Sequence, residues 1–134
     1  MNNVITLAKY IIQTATCAGI GISHTKLQTM LLLIFKDYFV ASGGALFSGT
    51  FIIDSRCPII EEVWEQYRGY GGATIFVSED VTVEVTNKTL LDELIIAYAK
   101  RLIEDLVSLS MAVLNNSPVG SRFSTEELME RWRK

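Results

Sequence analysis

The chain reads as an α+β domain, mostly helical, with a small antiparallel β-sheet or hairpin. Apolar residues recur at helical spacing over long stretches towards both ends of the chain. Short β-branched runs, set off by glycines and polar residues, interrupt that pattern in the middle. The 134 residues suit one domain, 1–134, and a chain of this length buries about two-thirds of its unfolded surface without staples. With 49% apolar and 20% charged residues, the chain can cover the entropy of folding, which excludes a disordered polymer.

The first helix is predicted over residues 3–18. Val4, Leu7, Ala8, Ile11, Ile12 and Ala15 share a face, and Gly19 and Gly21 end it. Ser23 or Thr25 caps a second helix over residues 26–41. Its stretch from Met30 to Phe35 is apolar on every side, the mark of a helix at the centre of its domain. Ser42-Gly43-Gly44 stops it, and Phe51 to Ile53 reads as a short strand. Pro58 fits the first turn of a third helix, over residues 59–70, where its missing N–H is harmless. Ile60, Val63, Trp64 and Tyr67 form one face of that helix, with Glu61, Glu62, Glu65 and Gln66 around the rest.

A hairpin is predicted next, from residues 74–77 and 81–85. Val81, Val83 and Val85 alternate with Thr82, Glu84 and Thr86, so one face is buried and one is wet. A single long helix follows over residues 90–114, opened by a capping box of Thr89 and Asp92. Ser124 and Glu127 form a second capping box before a short last helix that carries Leu128 and Trp132.

The search for chemistry is largely negative. The one histidine, His24, lies between Ser23 and Thr25. Sequence neighbours at a helix start do not aim at each other as a nucleophile and its base must, so it reads as a polar residue near a cap. Two cysteines, Cys17 and Cys57, lack motif spacing; one disulfide between them is possible but not demanded, and buried free thiols in a cytoplasmic protein are the favoured reading. One histidine and two such cysteines do not make a zinc site. Gly43-Gly44 and Gly71-Gly72 belong to no phosphate-binding pattern. The acidic groups Glu61-Glu62-Glu65 and Glu126-Glu127-Glu130 read as solvated helix faces. No catalytic, cofactor or metal residue is assigned.

The N-terminus lacks the basic start of a secretory signal. The apolar run from Met30 to Phe35 is far shorter than the roughly 20 residues of a membrane span. A formal charge of −3 withholds the basic footprint that phosphate-backbone binding needs, and Arg131, Arg133 and Lys134 read as a solubilising tail. What remains is protein binding. The best surface is the third helix with the turn before it: Arg56, Trp64, Tyr67, Arg68 and Tyr70. Amphipathic aromatics and planar guanidinium groups are the common anchors of protein interfaces.

The order of motifs resembles the Panacea antitoxin domain, the SocA-like, phage-associated family. Ser23-His24-Thr25-Lys26-Leu27-Gln28-Thr29-Met30-Leu31-Leu32 is similar to the family's entry to its second helix. Gly43-Gly44-Ala45-Leu46-Phe47 is similar to its Gly-Lys-Pro-Leu-Phe. Pro58-Ile59-Ile60-Glu61-Glu62-Val63-Trp64-Glu65-Gln66-Tyr67-Arg68-Gly69-Tyr70-Gly71 is similar to its Pro-containing turn and Val-Tyr-Glu-Glu-Phe-x-x-Tyr-Gly segment, and Leu90-Leu91-Asp92-Glu93-Leu94 to the start of its long helix. The resemblance covers nearly the whole chain. Two places depart from it: Ile53 to Pro58 replaces Trp-Lys-Tyr-Gly-Pro, and Ala112 to Val119 replaces a His/Pro-Trp signature.

The resemblance implies an antitoxin that neutralises a toxin by direct contact in the cytoplasm. The altered turn leaves a second reading, a phage-encoded inhibitor of a host defence protein such as a CRISPR effector. An enzyme with an unrecognised carboxylate site is the remaining alternative. The charge balance predicts that the protein binds duplex DNA only non-specifically. Shift assays at rising salt should show binding that is weak, sequence-blind and lost with salt; sequence-selective, salt-resistant complexes would overturn the expectation.

Overall fold

The computed structural model describes residues 2–55 and 57–133. Helix α1, Val4–Cys17, starts where the Asn3 side chain accepts the Ile5 N–H, and it ends before Gly19, whose φ of 79° suits a residue without Cβ. Helix α2, His24–Ser42, starts at Ser23, whose hydroxyl accepts the Lys26 N–H, and ends at Gly43 in the left-handed conformation. Every residue from Leu27 to Phe35 is buried. The all-round apolar run therefore lies at the centre, as its pattern requires. Helices α1, α3 (Glu61–Tyr67), α4 (Lys88–Ala99), α5 (Ile103–Val113) and α6 (Thr125–Trp132) all pack against α2. Phe35 fills the space between Phe47, Phe51 and Trp132.

A three-stranded antiparallel sheet lies beside the helices, with β1 (Thr50–Ile53) between β2 (Pro58–Ile59) and β3 (Arg122–Ser124). Phe51 pairs with Phe123 and Ile52 with Ile59. The architecture is the expected mostly helical α+β fold, and among the described residues no helix is long and apolar enough to cross a membrane. The capping box of Ser124 and Glu127 is formed, and α6 follows it.

Several elements differ from expectation. Pro58 lies in the edge strand β2, where a missing N–H disturbs no ladder, and α3 begins only at Glu61. It ends at Tyr67, and a 3₁₀ turn carries Arg68–Tyr70. Strand β3 went unforeseen because three residues are too few to show a period. Cys17 is exposed rather than buried, Cys57 is buried, and neither is in a disulfide.

The hairpin is not formed: neither of its two runs joins a strand. Their backbone is bonded to the side chains of Asn2, before α1, and Gln13, on α1, and to the α1–α2 loop. Ile75 N–H donates to Ile22 O at 2.9 Å, and Val81 N–H to Gln13 Oε1 at 3.3 Å. Glu84 N–H donates to Asn2 Oδ1 at 2.8 Å, while Asn2 Nδ2 donates back to Glu84 O at 3.0 Å. The alternation still reports burial correctly. Val81, Val83 and Val85 are half-buried, and Thr82, Glu84 and Thr86 are exposed.

The predicted long helix is two helices, broken at residues 100–102. A continuous helix over residues 90–114 would be about 37 Å long, whereas the 19 residues of α2 span about 28 Å. Breaking it lets both halves lie on α2. Lys26 Nζ donates to Ala99 O and so satisfies a carbonyl at the end of α4. Helix α5 starts without a side-chain cap but with Glu104 and Asp105 in its first turn, where the helix dipole favours negative charge. The α4 cap is Asn87, accepting the Leu90 N–H, and not Thr89.

Leu32 and Ile34 are fully buried in α2. Leu32→Ala and Ile34→Ala should each cost about 2–5 kcal/mol in a denaturant melt, the range for truncating a packed core side chain.

Candidate functional site

Gln28 lies one helical turn after His24 on α2, so the two side chains share a face. The Gln28 Oε1 accepts the Ile60 N–H at 2.9 Å, which fixes the residue before α3. The other end of that amide, Nε2, is a donor, and it lies 3.2 Å from His24 Nε2. His24 Nε2 must therefore accept, and the ring proton sits on Nδ1, an assignment that follows from the hydrogen-bond network. His24 is buried, and burial lowers its pKa below the ordinary value of 6.5.

The His24 ring lies 6.1 Å from the Trp64 ring, centroid to centroid. From the 3₁₀ turn after α3, the Arg68 guanidinium stands 5.0 Å over the same indole. Trp64 is half-buried and Arg68 exposed. A stack of this kind is worth about 0.5–1 kcal/mol at an exposed site, and the ion pair of Arg68 with Glu65 at 3.8 Å adds little in water. Behind the stack is a cavity of about 90 Å³, lined by His24, Thr25, Asp54, Ser55, Cys57 and Trp64 among others. Helix α2 supplies one wall, the β1–β2 turn another, and α3 the third.

The sequence-based site is thus partly assembled. The half-buried Trp64 and the exposed Arg68 form its ridge. Tyr70 is 38% exposed, and its hydroxyl donates to the backbone carbonyl of Phe76 at 3.3 Å; Phe76 itself is 73% exposed. Tyr67, by contrast, is buried on the inner side of α3, and its hydroxyl has no hydrogen-bond partner among the described residues. Burial raises its pKa, and the charges of Tyr70 and Glu79 push the same way. It supports the face and does not present itself on it. Arg56 lies outside the described residues.

Sequence reasoning weighed His24 only as a polar residue near a cap, and it passed over Gln28 and Asp54. The usable signal was the His24–Gln28 spacing of four within a helix that is otherwise apolar at its centre. A buried amide there needs partners, and a histidine one turn away is the nearest.

The lowered His24 pKa sets a pH dependence. Between the folded value and about 6.5 the unfolded chain binds a proton that the folded chain does not. The stabilisation from neutral His24 is full above pH 6.5, falls as pH drops below it, and is lost once pH passes below the folded value. Urea melts from pH 7.5 to pH 5 should show the parent losing stability more steeply than His24→Gln, which keeps an acceptor and does not titrate. Parallel slopes would show that His24 is not the group responsible.

Compared with protein-family models, with curated proteins and with solved structures, the chain matches none.

Proposed function

We propose that the chain is a non-enzymatic, antitoxin-like inhibitor that neutralises a toxin or effector protein by direct binding. One observation carries the proposal: the Arg68 guanidinium, exposed, lies over the half-buried Trp64 indole at the end of α3, and the exposed Tyr70 and Phe76 follow in the next segment. Tryptophan, tyrosine and arginine are the residue types on which interface energy concentrates. The glycines Gly69, Gly71 and Gly72 are exposed alongside and let a partner's backbone approach. The Panacea-like order of motifs supplies the class of partner, a toxin, and a cytoplasmic setting.

A second reading keeps the binding mode and changes the target to a host defence protein opposed by a phage. It rests on the β1–β2 turn, where the sequence departs from the Panacea pattern. That turn contributes Asp54 and Ser55 to the cavity behind the ridge.

The proposal is tested by co-expression with the product of the neighbouring gene. The parent chain should rescue growth from a toxic neighbour. Arg68→Ala and Tyr70→Ala should weaken binding by about 2 kcal/mol or more if they are central anchors, with melting temperatures near the parent's. Unchanged affinity in both variants, with folding intact, would move the binding surface to the outer face at Thr82 and Glu84.

A further inference from the structure

We propose that residues 76–80 form a strap across α1 and Tyr67 that opens locally while the rest of the chain stays folded, swinging Phe76 and admitting water to the Tyr67 hydroxyl. Phe76 then stands on a moving part of the protein-binding surface, not on a fixed one.

The strap is fastened at its ends. Ile75 before it is fully buried, and its N–H donates to Ile22 O at 2.9 Å. Val81 after it is half-buried, and its N–H donates to Gln13 Oε1 at 3.3 Å. Between these ends no peptide group bonds to another peptide group among the described residues. The strap is held instead by side chains. The Tyr70 hydroxyl donates to Phe76 O at 3.3 Å, the Gln13 amide donates to Glu79 O, and Lys9 pairs with the Glu79 carboxylate. All three contacts are exposed, where water competes for each group and little net stability remains. Phe76, Ser78, Glu79 and Asp80 are exposed as well, and only Val77 is half-buried. Few apolar contacts and solvent-exposed bonds put a segment at the low end of local stability.

Two features of the closed position weaken it further. A cavity of about 180 Å³ separates the strap from α1, with Ile12 and Thr16 on one wall and Phe76 and Val77 on the other. Across such a gap the facing atoms lose the contacts that dispersion rewards. The second feature is the Tyr67 hydroxyl, sealed from solvent and without a hydrogen-bond partner among the described residues. The Tyr67 ring lies 6.1 Å from that of Tyr70, which reaches over to Phe76, and the Glu79 charge acts on the same hydroxyl. The unpaired group thus lies on the strap's side of α3. Opening breaks weak surface contacts and relieves the cost of that group by hydrating it.

The Val81 amide reports on the strap, because its bond to Gln13 closes one end. In hydrogen exchange followed by ¹H–¹⁵N spectra it should exchange much faster than the amides at the centre of α2. Low urea should leave its rate unchanged, since a local opening exposes little surface. Tyr67→Phe keeps the ring and removes the unpaired hydroxyl, and it should slow Val81 exchange about tenfold. Gln13→Ala removes two tethers, and chymotrypsin should then cleave after Phe76 about tenfold faster than in the parent, with the melting temperature nearly unchanged. A Val81 rate that matches α2 and rises with urea would mean that the segment opens only when the whole chain unfolds, and would overturn the strap. An unchanged Val81 rate in Tyr67→Phe, or unchanged cleavage in Gln13→Ala, would do the same. These measurements use no partner protein, so their failure leaves the protein-binding proposal standing.

Discussion

Helix α2 is buried on every side from Leu27 to Phe35, and it carries two polar side chains, Gln28 and Thr29, into that interior. A buried polar group left without a partner costs about 1–3 kcal/mol, a large part of a domain's net stability. Thr29 solves the problem locally by donating to the Lys26 carbonyl at 2.8 Å. Gln28 cannot, because its amide has both a donor and an acceptor end. It takes the Ile60 N–H on one side and His24 on the other. The arrangement of α2, β2 and the start of α3 follows from that demand. The hydrophobic effect brings these elements together without direction, and the amide decides their register.

The candidate site inherits its geometry from the same amide. With Ile60 pinned, α3 begins at Glu61 and lays Val63 and Tyr67 against the core. Trp64 on α3 is then left half-buried between the His24 ring and the exposed Arg68 of the following 3₁₀ turn. Exposure of the ridge and burial of Tyr67 are two sides of one rotational setting. The 3₁₀ turn at Arg68–Tyr70 tightens the chain after that helix and carries Tyr70 into solvent, while Tyr67 stays inside.

The segment of residues 74–86 shows how a strand-like pattern is met without a strand partner. Asn2 and Gln13 present amide groups where another strand would present peptide groups, and an amide side chain offers the same donor and acceptor pair. At its far end Tyr38 takes over, with its hydroxyl 3.1 Å from Thr86 Oγ1 and accepting the Asn87 N–H at 3.1 Å. The segment so lies along α1 with its valines inward. Its hold depends on a few side-chain bonds and on the half-burial of Val81, Val83 and Val85, not on a continuous ladder.

By itself the sequence determined what periodicity and local capping can determine. Helices α1, α2 and α6, the strand at Phe51, the buried centre of α2 and the cap at Ser124 were all legible there. Each depends on residues within a few positions of one another, and a helix or a strand repeats over that range. The same holds for the alternation of Val81 to Thr86, which foretold the burial of each side chain and not its bonding. Tertiary structure decided the rest. The break at residues 100–102 follows from the length of α2, which no residue near the break encodes, and from Lys26, more than seventy positions away. Pro58 became a strand residue because β1 lay beside it. Which of Trp64 and Tyr67 would be exposed depended on the rotation of α3, set by Gln28 from another helix. The tautomer of His24 likewise follows from a peptide N–H at Ile60. A hydrogen bond between distant residues leaves no period in the sequence, so these features become visible only once the chain has folded.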